Sequence, residues 1–230
     1  MALVFAHRGA HSAERENTLG AFRAALEIGV DGVELDVRRT LDGALVIHHD
    51  PEAQGVVIAH ARADELPSFV PHLEESLEVL GDVRVNVEVK NIKDEKEPTY
   101  DESGTFVAAV IEVLRASGRL ASLELSCFDL ATCVAARAME PALVVAWLNW
   151  TSPLLDALEV ASTNGLSAVN PHFLLVDAEG QARAEALGLD LNVWTVNDAA
   201  DLTSMGALGV RGVITDQPDL AVSLLHGATG

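Results

Sequence analysis

A repeating alternation of apolar runs and helical stretches constrains this chain most. Runs rich in Val, Leu and Ile fall at Leu3–Ala6, Gly32–Val37, Val83–Val89, Leu123–Ser126, Leu143–Trp147, Ala168–Asn170, Leu191–Val196 and Gly212–Ile214. Each is followed by a stretch with helical spacing: Leu19–Ile28, Leu73–Leu80, Phe106–Ala116, Leu130–Met139, Leu154–Thr163, Glu179–Leu187, Ala199–Met205 and Asp219–Leu225. Near-continuous apolar strands alternating with helices indicate a parallel sheet covered by helices. Eight such units in 230 residues predict an α/β protein, a single-domain (β/α)8 TIM barrel. An open doubly wound sheet is the alternative, but the first turn lacks the glycine fingerprint of a dinucleotide site.

Gly29, Gly118, Gly165, Gly188 and Gly209 stand where helices should end, as left-handed caps. One element interrupts the rhythm: Arg38–Gly43 reads as a turn and Ala44–His48 as a short extra strand, Asp-Gly being a hairpin signal. No linker or composition break divides the chain, so residues 1–230 are expected to form one domain. The most polar stretch, Lys93–Ser103, follows the third strand, where a barrel carries an active-site loop.

With 15 Lys+Arg against 35 Asp+Glu the formal charge is −20, which argues against nucleic acid and against an anionic membrane surface. Hydrophobic residues make up 49% of the chain, enough to bury a core. The opening residues Met1–His7 show no basic n-region, and no apolar run approaches transmembrane length, so no membrane anchoring is expected. Cys127 and Cys133 read as two reduced core thiols, and a cytoplasmic location is the simplest account. Oligomeric state is not legible.

A strand buried on both faces should be apolar, so polar residues at strand ends need a reason. The first strand runs into His7-Arg8-Gly9, the second carries Glu34 and Asp36 on one face, and the third carries Glu88 with Lys90 two positions on. Three converging carboxylates repel unless a cation joins them, and oxygen ligands favour Mg²⁺ or Ca²⁺ over zinc. The alternative is an interior salt-bridge network with Arg and Lys. Of eight histidines, His7 and His49 end strands beside the carboxylates, where a pair can act as acid and base. Arg8 and Lys90 can meet a phosphate. His48 alternates with His49, so one of them faces the pocket; His60, His72 and His226 read as structural. Trp147 and Trp150, near the fifth strand's end, read first as core or rim, His172 is a weaker site candidate, and Asn17 either touches the site or caps the first helix.

The motifs His7-Arg8-Gly9, Glu16-Asn17-Thr18, Gly32-Val33-Glu34-Leu35-Asp36-Val37, Asp42-Gly43, His49-Asp50-Pro51 and Glu88-Val89-Lys90 resemble the glycerophosphodiester phosphodiesterase family. Later echoes are Ser126-Cys127-Phe128-Asp129, Trp194-Thr195-Val196-Asn197 and Thr215-Asp216-Gln217-Pro218, so the resemblance spans nearly the whole chain. It implies a phosphatidylinositol-phosphodiesterase-like barrel hydrolysing small glycerophosphodiesters to glycerol 3-phosphate and an alcohol. It also implies His7 and His49 as acid/base pair and Glu34, Asp36 and Glu88 as ligands of one divalent cation, Mg²⁺ or Ca²⁺, with Mn²⁺ also compatible. Arg8 and Lys90 would contact phosphate and Trp194 the glycerol side. The nucleophile is either water or the substrate's own glycerol hydroxyl.

Three departures stand out. Arg15 replaces a usual proline, Arg211 a common acid, and Pro51–Pro71 is short where many relatives insert a subdomain. The alternatives are a lysophospholipase D-like enzyme and a non-catalytic barrel binding a phosphate ligand.

Overall fold

The structure, a computed structural model, describes residues 1–93 and 99–227. Its strands are β1 (Leu3–His7), β2 (Gly32–Arg39), β3 (Leu45–Ile47), β4 (Glu52–Ala53), β5 (Val56–Val57), β6 (Arg84–Val89), β7 (Leu123–Cys127), β8 (Val144–Asn149), β9 (Ala168–Pro171), β10 (Asp190–Val193) and β11 (Gly212–Thr215). The helices are α1 (Leu19–Ile28), α2 (Leu73–Leu80), α3 (Thr105–Ala116), α4 (Leu130–Met139), α5 (Leu154–Thr163), α6 (Ala178–Leu187), α7 (Ala199–Leu208) and α8 (Pro218–Leu225). Strands β1, β2, β6, β7, β8, β9, β10 and β11 pair in parallel in that order, and β11 returns to β1 to close a (β/α)8 barrel.

The alternation of side chains along the strands sets two environments. Outward residues such as Val33, Leu35, Val37, Val85, Val87, Leu125 and Val213 pack with helix residues including Phe22, Leu77, Val110 and Leu158 in one apolar core. Inward positions on β2, β6 and β7 are polar instead: Glu34, Asp36, Asn86, Glu88, Glu124 and Ser126, all buried. Hydrophobic burial is therefore concentrated between sheet and helices, which frees the lumen for chemistry.

Two expectations are corrected. Arg38 and Arg39 continue β2 rather than forming a turn, because they pair antiparallel with Val46 and Leu45 of β3. The strand expected to reach Val196 ends at Val193, the last residue in register with β11; beyond it Trp194 keeps only an isolated parallel bridge to His172, and the Val196 N–H donates to the Ile214 carbonyl at 3.0 Å. Residues Glu52–Val70 form the short insertion after the second strand, with a satellite core of Ala53, Ile58 and Val70 against Val46. Within the expected loop Lys93–Ser103, residues 94–98 lie outside the described residues. Both cysteines are free and buried. Among the described residues no helix is long and apolar enough to cross a membrane.

Deeper in the lumen Glu124 accepts hydrogen bonds from Asn170 Nδ2 (2.8 Å) and Asn192 Nδ2 (3.2 and 3.0 Å). Burial pushes its carboxyl up despite these donors. A carboxyl raised by folding stabilises the fold fully below its unfolded value, and that contribution is lost as pH rises through the folded one. Glu124→Gln does not titrate, so urea unfolding should show the variant gaining on the wild type from pH 5 to pH 8. A pH-independent difference would place the cost elsewhere.

Candidate active site

All the polar residues singled out in the strands meet at the C-terminal mouth of the barrel. His7, Arg8, Glu34, His49, Glu88, Lys90 and Trp194 line one cavity of about 140 Å³, and Asp36 lies buried beside it. Parallel register brings them level: His7 opposes Glu34, and Asp36 opposes Glu88.

The first turn is shaped by backbone geometry. Arg8 (φ 57°) and Gly9 (φ 80°) are both left-handed, and a Cβ on Gly9 would meet the Ala21 backbone at 2.8 Å. This turn directs the Arg8 N–H onto Glu34 Oε2 at 3.1 Å. Asn17, also left-handed (φ 56°), does not cap α1; Thr18 does, accepting from Ala21 N. Asn17 instead donates from Nδ2 to Asp36 Oδ2 at 2.6 Å and accepts from the Asp36 N–H at 3.3 Å. The site role for Asn17 is thus the one seen.

The carboxylates differ in their partners. Glu34, Asp36 and Glu88 each place an oxygen within 4.8 Å of the other two. Lys90 Nζ lies 2.6 Å from Glu88 Oε1 and 3.3 Å from Asp36 Oδ1, and Arg8 Nε lies 3.3 Å from Asp36 Oδ2. Burial pushes the Asp36 carboxyl up, but Lys90 and Arg8 outweigh it and hold it below the usual carboxylate range. Burial also pushes Glu34 up, and here Asp36 and Glu88 add to the rise, with Arg8 and Lys90 too weak to reverse it. Among the described residues the ion-pair contact of Glu34 is to His7 Nε2, at 3.9 Å. Glu34 Oε1 and Asp36 Oδ1 are buried without hydrogen-bond partners. The salt-bridge network weighed from sequence is therefore real around Asp36 and Glu88 but incomplete at Glu34. Two cations face three carboxylates, and an all-oxygen cluster with orphaned atoms fits a hard divalent ion.

Sequence reasoning assigned no role to Asp216. Its Oδ1 lies 2.6 Å from His7 Nδ1 and 3.1 Å from His11 Nε2, and Asn197 donates to its Oδ2 at 2.8 Å. Burial opposes ionisation of Asp216, but the hydrogen bond from His7 holds its carboxyl well below the usual range. The available signal was its place at the end of the last strand, which barrel closure sets beside the first. His49 Nδ1 meets Asp50 Oδ1 at 2.7 Å, and its main-chain carbonyl accepts from Arg38 Nε at 2.8 Å. Burial, with help from Lys90 and Arg8, lowers the His49 imidazole and favours its neutral form.

Other expectations sort as follows. His48 sits against Phe69, off the pocket, so His49 is the residue that faces it. His172 packs edge-on against Trp194 without lining the cavity. Arg211 pairs with Asp190 at 3.0 Å, and Arg15 covers the Phe69 ring at 4.0 Å. Trp147 and Trp150 line an adjoining groove.

The chain matches the model of the glycerophosphoryl diester phosphodiesterase family over residues 7–220. It is 28% identical over 245 residues to the glycerophosphodiester phosphodiesterase of Caldanaerobacter subterraneus subsp. tengcongensis, covering 97% of this chain and 98% of that one. It is 30% identical over 250 residues to the Bacillus altitudinis enzyme of the same name, with coverage of 97% and 98%. The crystal structure of a glycerophosphodiester phosphodiesterase from Thermotoga maritima superposes with a TM-score of 0.81 at 26% identity, covering 97% and 98%. Fold, site and relatives together define a (β/α)8-barrel enzyme of the phosphoric diester hydrolase class. Within that class the chain belongs to the glycerophosphoryl diester phosphodiesterase family.

The Asn17 contact carries a prediction. Side chains that orient a metal ligand typically contribute 10–100-fold to affinity. Asn17→Gly keeps the left-handed backbone but removes the amide, and should weaken Mg²⁺ or Ca²⁺ binding by about 10-fold or more, measured by calorimetric titration. Wild-type affinity in this variant would show that Asp36 needs no such anchor.

Proposed function

We propose that this protein hydrolyses glycerophosphodiesters to glycerol 3-phosphate and an alcohol with a divalent cation, Mg²⁺ or Ca²⁺, held by Glu34, Asp36 and Glu88. The observation that carries this reading is Glu34, a buried carboxylate with an orphaned oxygen beside two further carboxylates. The family and the names of the relatives support the substrate class. When bound, the cation supplies Lewis-acid neutralisation of phosphate oxygens.

The chain's own residues supply the rest. Arg8 lines the pocket, and its guanidinium, held by Asp36 and Glu16, brings a positive charge suited to a phosphate oxygen. Lys90 adds a second positive charge, held ionised by Glu88 and Asp36 against the cost of burial. His7 and His49 each have Nδ1 engaged by a carboxylate, so each presents Nε2 as the working atom. One takes a proton from the nucleophile and the other gives one to the departing alkoxide, so that a P–O bond breaks as another forms. Asp216 and Asp50 act as positioning residues in this scheme.

His7→Ala and His49→Ala should each lower kcat on glycerophosphocholine by about 10²–10⁴-fold. Chelation should abolish turnover, and added Mg²⁺, Ca²⁺ or Mn²⁺ should restore it. Full activity in either variant, or after exhaustive chelation, refutes the assignment. Asp216→Ala should lower kcat by at least about 10-fold with little change in KM or metal affinity. A loss confined to KM would place Asp216 in substrate binding instead.

A further inference from the structure

Two histidines converge on one carboxylate where the barrel closes. Strand β1 ends at His7, and its pairing with β11, which sets Ala6 opposite Thr215, brings Asp216 beside it. His11 comes from the loop that follows β1, pinned where the Ala10 N–H donates to the Ala21 carbonyl at 2.9 Å. His7 Nδ1 and His11 Nε2 lie 2.6 and 3.1 Å from the same oxygen, Asp216 Oδ1. The side chains of His7, His11 and Asp216 are 19%, 26% and 27% exposed, so an ion can reach them from solvent. The catalytic scheme above uses His7 and Asp216 and leaves His11 without a task.

The group has the composition and the support of a transition-ion site. One ligand atom from each of the three residues lies within 4.8 Å of the other two. With metal–ligand bonds of about 2.0–2.1 Å, neighbouring ligands of a tetrahedral Zn²⁺ stand about 3.3 Å apart. The His11–Asp216 spacing is close to this, and the His7–Asp216 contact has to open by less than about 1 Å. Asp216 is held from behind by Asn197, whose Nδ2 donates to Oδ2 at 2.8 Å while its Oδ1 accepts from the Asp216 N–H at 2.9 Å. These contacts leave Oδ1 to the histidines and give the outer support that fixes a metal-ligating carboxylate. Two imidazoles and a carboxylate suit Zn²⁺, whereas the all-oxygen set of Glu34, Asp36 and Glu88 suits Mg²⁺ or Ca²⁺. The two clusters therefore sort ions by ligand chemistry.

We propose that His7, His11 and Asp216 form a second, inhibitory metal site that takes Zn²⁺ and switches off His7. The site itself stands on the geometry; the inhibition rests on the phosphodiesterase reading above, which gives His7 its proton-transfer role. In the metal-free state a neutral His7 donates its Nδ1 proton to Asp216 and keeps the lone pair on Nε2. When Zn²⁺ binds, the His7 proton moves from Nδ1 to Nε2 and the His11 proton from Nε2 to Nδ1. Each ring then offers the metal a lone pair, and no proton is lost. His7 Nε2 now carries a hydrogen and has no lone pair, so it cannot serve as the base. That hydrogen belongs to a neutral ring rather than an imidazolium, so it is also a poor acid. The block holds whichever of the two roles His7 fills.

The test adds Zn²⁺ to protein held in saturating Mg²⁺, so that the carboxylate cluster is already supplied. Calorimetric titration should show one Zn²⁺ bound per chain, and Co²⁺ in its place should give the visible absorption of a four-coordinate site with nitrogen ligands. His11→Gln keeps an amide donor for Asp216 but removes the imidazole. It should weaken Zn²⁺ binding about 10-fold or more, since losing even an outer-shell partner of a ligand costs that much. On glycerophosphocholine, Zn²⁺ should lower kcat of the wild type with KM little changed. His11→Gln should keep the wild-type kcat in Mg²⁺ alone and need about 10-fold more Zn²⁺ for the same inhibition. Equal inhibition of the two proteins would place Zn²⁺ at Glu34, Asp36 and Glu88 and overturn the inference. Absence of Zn²⁺ binding above saturating Mg²⁺ overturns it too, as does His11-dependent binding that leaves kcat unchanged. His11-dependent binding in a protein that cleaves no glycerophosphodiester would refute the phosphodiesterase reading while the metal site stands.

Discussion

The structure turns on burying three carboxylates at one end of a barrel. Glu34, Asp36 and Glu88 lie close enough to repel strongly at low dielectric, and the fold sets two cations, Arg8 and Lys90, against them. The balance leaves one negative charge over, and it falls on Glu34, whose carboxyl burial and its acidic neighbours push upward. A divalent cation reverses the sign of that remainder. The same cluster would then change from one that repels a phosphodiester to one that attracts it.

Such a cluster is tolerable only because the hydrophobic stabilisation lies elsewhere. Outward strand residues pack against the eight helices, and the apolar core is formed without the inward residues Glu34, Asp36, Glu88 and Glu124. The lumen is left to hydrogen bonding, from the Glu124–Asn170–Asn192 group below to the carboxylates at the mouth. Backbone conformations that are costly for ordinary residues also gather there, at Arg8 and Asn17. Both serve the cluster directly, one through its N–H on Glu34 and the other through its amide on Asp36.

Much of this was legible in the sequence because it is local. Strand periodicity placed all eight barrel strands, and polar residues breaking apolar runs marked the carboxylates, His7, Arg8 and Lys90. What escaped depends on closure or on loop geometry. Asp216 is 209 positions from His7, and only the pairing of β11 with β1 makes them neighbours. Asn17 looked equally like a helix cap because its left-handed backbone and its reach to Asp36 are set by the turn around Arg8 and Gly9. Arg38 and Arg39 looked like a turn because nothing in their identity shows that β3 pairs back onto them.

The net charge of −20 and the proposed chemistry place opposite demands on the surface. An acidic protein repels an anionic substrate at long range, over distances that physiological salt screens within about 8 Å. On the proposed chemistry, attraction has to come from the mouth itself, where Arg8, Lys90 and a bound cation would act on the phosphate at contact. The groove lined by the three tryptophans shares Phe128, Leu148 and Trp194 with the cavity and has no charged residue among its described lining, so the apolar wall beside the carboxylates neither adds to nor offsets their charge.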